Sequence, residues 1–100
     1  MPKYELILQP EAELDLDEAY EYLNSQRNNL GFDLLEELSD LFEMLKENPF
    51  LFQRVHRDTR RAITKKLKFN IFYKVLDDTI FILAILHGSQ NPNKWKDRRV

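Results

Sequence analysis

Three side chains in the second half of this 100-residue chain, Arg61, Lys65 and His87, are of the types that phosphodiester chemistry uses. Arginine and lysine can offset charge that develops on a phosphate. His87 is the one side chain in its segment whose ordinary pKa is near neutral, as a general acid or base requires. Strand alternation puts Arg61 and Lys65 on one face of a candidate strand, Arg60 to Lys68, but they do not make a full acid–base set. Asn70 and Gln90, nearby in the sequence, can bond a phosphate without neutralising it. His87 also has a plainer reading, at a strand end bonding backbone in the turn to Gly88. Trp95 can stack on a base, anchor in a partner, or pin the tail to its own domain. Arg60, Arg61, Lys65, Lys66, Lys68, Lys94, Lys96, Arg98 and Arg99 form a cationic set. It suits an acidic protein segment, RNA, or an acidic patch on a target protein. The bland alternative is that it balances the chain's own acidic half.

That acidic half is pronounced. Residues 1–50 carry 13 acidic and 3 basic side chains, and residues 51–100 carry 4 and 12, within a net charge of −2. A near-neutral total therefore hides a dipolar chain with one face for an anionic partner. There is no cysteine, so thiolate chemistry and disulfides are excluded. His56 and His87 lack the spacing of a zinc site, and the sequence points to no metal and no cofactor. No phosphate loop, zincin helix or nucleophile elbow is present; the only glycines are Gly31 and Gly88. The N-terminal residues do not resemble a signal peptide, and the longest apolar run, Ile80 to Leu86, is too short to span a bilayer. The expectation is one soluble, cytoplasmic domain over residues 1–100, with no membrane partner.

The elements that must position these residues follow from periodicity. Tyr4 to Leu8 alternates as a short strand. Pro10 suits the first position of a helix, and Ala12, Leu16, Ala19, Tyr20 and Leu23 give it an apolar stripe to about residue 26. Its other face is acidic, with Glu11, Asp15 and Glu18. After Arg27-Asn28-Asn29, Leu30, Leu34, Leu38, Leu41 and Leu45 predict a second helix, flanked by Leu35 and Phe42, that stops near Asn48 because Pro49 disfavours helix before it. The short link makes an antiparallel hairpin, whose apolar seam offers a groove to a partner helix.

Residues 49–60 read as irregular, with Phe50, Leu51 and Phe52 tucked under the core. Phe69 to Val75 and Ile80 to Leu86 pair about an Asp77-Asp78 turn. Asn91-Pro92-Asn93 breaks the chain, and Lys94 to Arg99 form a last helical turn. The predicted fold is α+β: a small antiparallel sheet in the order β-α-α-β-β-β, with the helix hairpin packed on one face. Two helices cannot cover both faces. The second face is thus a natural docking surface for another chain.

Several segments, taken in order, resemble the RelE/ParE superfamily of bacterial type II toxins. They are Pro10-Glu-Ala-Glu-Leu-Asp, the acidic hairpin, Asn48-Pro49, Arg60-Arg61 before the sheet, Phe72-Tyr73 in a strand, and Leu86-His87-Gly88 closing the next. The resemblance covers almost the whole chain. It implies a cognate antitoxin as partner. It implies either ribosome-dependent, metal-free cleavage of messenger RNA, as in the RelE branch, or inhibition of DNA gyrase, as in the ParE branch. By the resemblance, Asn70 stands where nuclease members tend to have arginine, Gln90 stands where arginine is common in both branches, and no tyrosine follows Tyr73. The chain is thereby closer to the ParE branch, a toxin that acts by binding. The alternatives are a nuclease using Arg61, Lys65 and His87, and a degenerate, non-toxic module that only binds its antitoxin. In the binding reading the contact residues are Arg60, Arg61, Lys65, Lys66, Lys68, His87, Trp95, Arg98 and Arg99.

Overall fold

The structure is a computed structural model and describes residues 3–88, 90 and 93–100. Strand β1 (Glu5–Leu8) leads into helix α1 (Pro10–Gln26), which starts on Pro10 with Glu11 and Glu13 in its first turn. There the missing amide costs nothing and the carboxylates meet the positive helix end. Helix α2 (Leu30–Glu47) follows, and strands β2 (Arg54–His56), β3 (Thr59–Ile63), β4 (Phe69–Leu76) and β5 (Thr79–His87) complete the chain.

The α+β fold with its helix hairpin is as the sequence predicts. The sheet is larger and mixed: five strands in the order β1-β5-β4-β3-β2, antiparallel except that β1 runs parallel to β5. The added strand β2 lies in the segment read as irregular, because its three exposed residues carry no apolar alternation to announce it. Phe50 and Leu51, expected under the core, are exposed, and only Phe52 packs against it. Pro49 is fully buried instead, and its carbonyl accepts a 2.8 Å hydrogen bond from the Tyr73 hydroxyl.

The Leu34–Leu38–Leu41–Leu45 stripe is buried against Phe69, Ile71, Ile82 and Ile85. The seam predicted as an open groove is therefore consumed by the protein's own sheet. The hairpin closes at Gly31, where an added Cβ would lie 2.8 Å from the Tyr20 carbonyl oxygen, so only glycine admits this approach of α1 and α2. Asp77 makes the β4–β5 turn at φ 55° without the favoured glycine.

One irregularity organises the rest. Phe72 pairs with Ala84 but Tyr73 with Ile82, so Leu83 is the extra residue of a β-bulge. The bulge lets Ile80 and Ile82, and beyond it Ile85, face the helices, while Ala84 and Leu86 join Phe72 on the opposite side.

Candidate functional site

Strand β1 pairs only with Thr79–Ile82, which leaves the far half of β5 without a neighbouring strand on that edge. Side chains satisfy it. The Ile85 amide donates to Asp15 Oδ2 at 3.0 Å, and the Leu83 carbonyl accepts from Arg98 Nη1 at 2.9 Å. Arg98 also grips Asp15 with both guanidinium nitrogens, Nη1 to Oδ2 and Nη2 to Oδ1, the latter at 3.2 Å. The His87 amide donates to Gln90 Oε1 at 2.7 Å, and the Gln90 amide returns a bond to the His87 carbonyl. An unpaired buried backbone group is costly, so these contacts replace a strand.

Asp15 thus corrects the expectation that it belongs to the solvated face of α1. Its side chain is 3% exposed, one helical turn from Ala12 and Ala19 on the buried stripe. The sequence shows an acidic residue among others; its partner Arg98 is 83 residues away. Arg98, predicted as a contact for a partner, is 11% exposed and engaged in this pair.

Trp95 resolves in favour of its domain. It is 5% exposed, its ring stacked on Phe72 at 4.5 Å and 15°, with Ala84 and Leu86 in the same cluster. On the second sheet face, expected to be open, this indole covers Phe72, Ala84 and Leu86. The tail forms two i→i+3 turns, Lys96 to Asn93 and Arg98 to Trp95, rather than a helical turn. The predicted break at Asn91 and Pro92 lies outside the described residues.

The three candidates for phosphate chemistry come together only in part. Arg61 pairs with Phe72 and faces the tail side. It lines a depression of about 260 Å³ with Asn70, His87, Gln90, Trp95 and Lys96. Lys65 is elsewhere: β3 ends at Ile63, alternation stops there, and Lys65 sits in the following turn beside Glu37 and Asp40 of α2. That turn is clamped by Glu37, whose carboxylate accepts from the Lys66 and Leu67 amides at 2.7 and 3.1 Å. The His87 ring packs with Phe69 at 5.3 Å and Tyr22 at 6.1 Å, on the helix side of the sheet.

The cationic set divides as well. Arg60 donates to the Phe52 carbonyl at 2.7 Å and lies 5.1 Å from the Phe50 ring centroid, a staple for the connector. Lys66 shares a depression with Asp33, Glu36, Glu37 and Asp40, which is the internal balancing the sequence leaves open. Lys68 is exposed at φ 60° before β4. Arg99 and Lys96 border a second depression beside Trp95, together with Arg57 and Lys74, which sequence reasoning did not single out. No cluster of His, Cys, Asp and Glu able to hold a metal occurs among the described residues. No helix among them is long and apolar enough to cross a membrane.

The model of the family described as "ParE toxin of type II toxin-antitoxin system, parDE" matches residues 6–92, from β1 through all five strands. The chain belongs to the ParE toxin family. A solved chain described as "Chromosomal ParDE TA system from P. aeruginosa" has the same fold, with a TM-score of 0.74 over 84% of this chain and 95% of that one, at 17% identity. Among curated proteins, none matches the chain significantly. The family assignment places the chain on the ParE branch of the RelE/ParE superfamily, as the resemblance leads one to expect.

Proposed function

We propose that this ParE-family chain is a toxin that acts by binding rather than by catalysis, that its target is DNA gyrase, and that a cognate antitoxin protein neutralises it in the cytoplasm. The observation that carries the reading is the incomplete assembly of the phosphate-chemistry residues. Arg61 and His87 border one depression, but the His87 ring packs against Phe69 on the helix side, and Lys65 sits apart on a turn against α2. Metal-free RNA cleavage needs a proton acceptor, a proton donor and charge neutralisation within reach of one phosphate. Gln90 adds to the argument. Its side-chain oxygen is spent on the His87 amide, a role that requires an acceptor and that arginine cannot fill.

For the antitoxin, exposed apolar surface on the helix hairpin supports an apolar partner segment. Phe32 is 53% and Met44 41% exposed, and Met44 borders a groove with Phe52 and Ile63. An amphipathic helix or extended segment suits such a groove.

One culture tests the target. The chain is induced without its neighbouring antitoxin gene while DNA supercoiling and message integrity are followed together. Growth arrest with altered supercoiling and intact message is the expected result. Early cleavage of ribosome-bound message would replace it with the nuclease reading, in which Arg61→Ala and His87→Ala abolish cleavage. Unimpaired growth, with the protein folded and bound to its antitoxin, would favour a degenerate module.

A further inference from the structure

We propose that the depression between Trp95 and the β2–β3 turn is a binding site for phosphate groups, separate from the Arg61 depression, with which it shares only Trp95 and Lys96 in its lining. It encloses about 290 Å³ and is bordered by His56, Arg57, Lys74, Lys96 and Arg99, with Thr59 and Trp95 in its wall. Arg98 also lines it, but its charge is answered by Asp15. No carboxylate lies within ion-pair distance of Arg57, Lys74, Lys96 or Arg99 among the described residues. Asp58 and Asp97 flank the site in sequence and line none of it.

Converging cations repel one another and persist only where another gain offsets the repulsion. The lysine pair on the other side of the protein illustrates the alternative: Lys65 and Lys66 border a depression with Asp33, Glu36, Glu37 and Asp40. Here nothing acidic faces the group. Phosphate fits the charge density better than carboxylate does. A phosphomonoester carries about −1.5 to −2 charge with three acceptor oxygens, against one charge for a carboxylate. Arginine forks and lysine points are the groups that bind it.

A second observation concerns Arg57. It sits at φ 50° in the β2–β3 turn, a left-handed conformation that glycine or asparagine adopts more cheaply. Turn geometry therefore gives no preference for a cation at this position, which leaves its charge to the depression. The site is independent of the gyrase reading, since it is argued from charge and shape alone.

Trp95 is the only tryptophan and lines the site, so its fluorescence reports on the whole chain directly. Inorganic tripolyphosphate is titrated against wild type, Arg57→Gly, Lys74→Ala and Lys66→Ala, with far-UV spectra confirming the fold. Arg57→Gly suits the left-handed turn, so lost binding cannot be blamed on unfolding. A saturable change in emission is expected, weakened about tenfold or more by Arg57→Gly and by Lys74→Ala. Lys66→Ala, which removes the same charge elsewhere, should stay within about twofold. Competition by a short DNA duplex would identify the phosphates as those of a nucleic acid; its absence would identify a free polyphosphate. The site is refuted by an unsaturable response, by equal weakening in Lys66→Ala, or by a poly-glutamate peptide binding as tightly as tripolyphosphate.

Discussion

On one face of the sheet, α1 and α2 bury Leu23, Leu34, Leu38 and Leu45 against Phe69, Ile71 and Ile82. On the other, Trp95 lies over Phe72, with Ala84 and Leu86 beside them. The first cover consists of two helices of 17 and 18 residues whose apolar stripes run their full length. The second is a short tail held by one stacked ring and by the ion pairs of Arg98 and Lys94 with Asp15. Both faces carry a covered apolar cluster, but by different physics. The helix side spreads its stability over many side chains, so no single contact decides it. The tail side concentrates it in Asp15, Arg98 and Trp95, and segments held by few contacts are those that open first.

Breaking the Asp15–Arg98 pair should have the largest effect. Asp15 belongs to α1 and so to the helix side, yet it anchors the tail and the bulge. Asp15→Ala leaves Arg98 buried without a counter-charge and the Ile85 amide without an acceptor, a loss of about 3–5 kcal/mol. Chemical denaturation measures it. The double variant Asp15→Ala/Arg98→Leu should recover only part, because Ile85 and Leu83 still lack partners. Full recovery would mean that the ion pair does nothing for the sheet edge.

Trp95→Ala removes the cover of the second face. A rigid site would lose about 3–5 kcal/mol; a tail that can draw away falls at or below the lower end of that range. The informative readout is where the loss appears. Faster hydrogen exchange confined to residues around Phe72, Ala84 and Leu86, with the α2 amides unchanged, would sustain the contrast between the faces. Uniform acceleration would show that they unfold as one unit.

The same contrast governs what could be read from the chain. Period 3.6 announces α2, and period 2 announces β4, because their apolar residues repeat locally. Strand β2 has no such repeat: all three of its residues are exposed. Asp15 looks like Glu11 and Glu18 until the tail comes back to meet it, and Arg98 looks like Arg99. In the candidate site, Arg61 and Trp95 were visible as residue types, but their use was not, since Trp95 is claimed by Phe72. Arg57 and Lys74 stayed hidden because the strand order β4-β3-β2 and the returning tail, not sequence proximity, set them beside Arg99. Side chains whose partners lie within a few residues are legible; those whose partners come from across the sheet are not.

Tyr73 sharpens the helix side. It is fully buried and donates to the Pro49 carbonyl, and burial pushes its phenol up to about 12. The folded state therefore holds its proton more tightly than the unfolded chain does. Its contribution is complete below pH 10, the unfolded value, and is lost as pH rises toward 12, by about 2 kcal/mol. Tyr73→Phe should lose about 1 kcal/mol at neutral pH with the hydrogen bond. It should then fall less steeply than wild type above pH 10, and parallel curves would exclude Tyr73 as the titrating group.

The smallest effect is expected at the far end of β5, where helix side and tail side meet. Gln90 Oε1 holds the His87 amide in a half-buried turn, so water can replace part of what is lost. Gln90→Arg removes the acceptor and should cost about 1 kcal/mol, while Gln90→Glu keeps a carboxylate oxygen there and should cost less. The two substitutions differ in charge as well as in acceptor, so Gln90→Leu, neutral and without an acceptor, separates the causes. If the hydrogen bond matters, Leu behaves like Arg; if charge matters, Leu behaves like Gln. The first outcome would explain physically why this chain does not carry arginine at that position, since the turn that closes β5 needs an acceptor there.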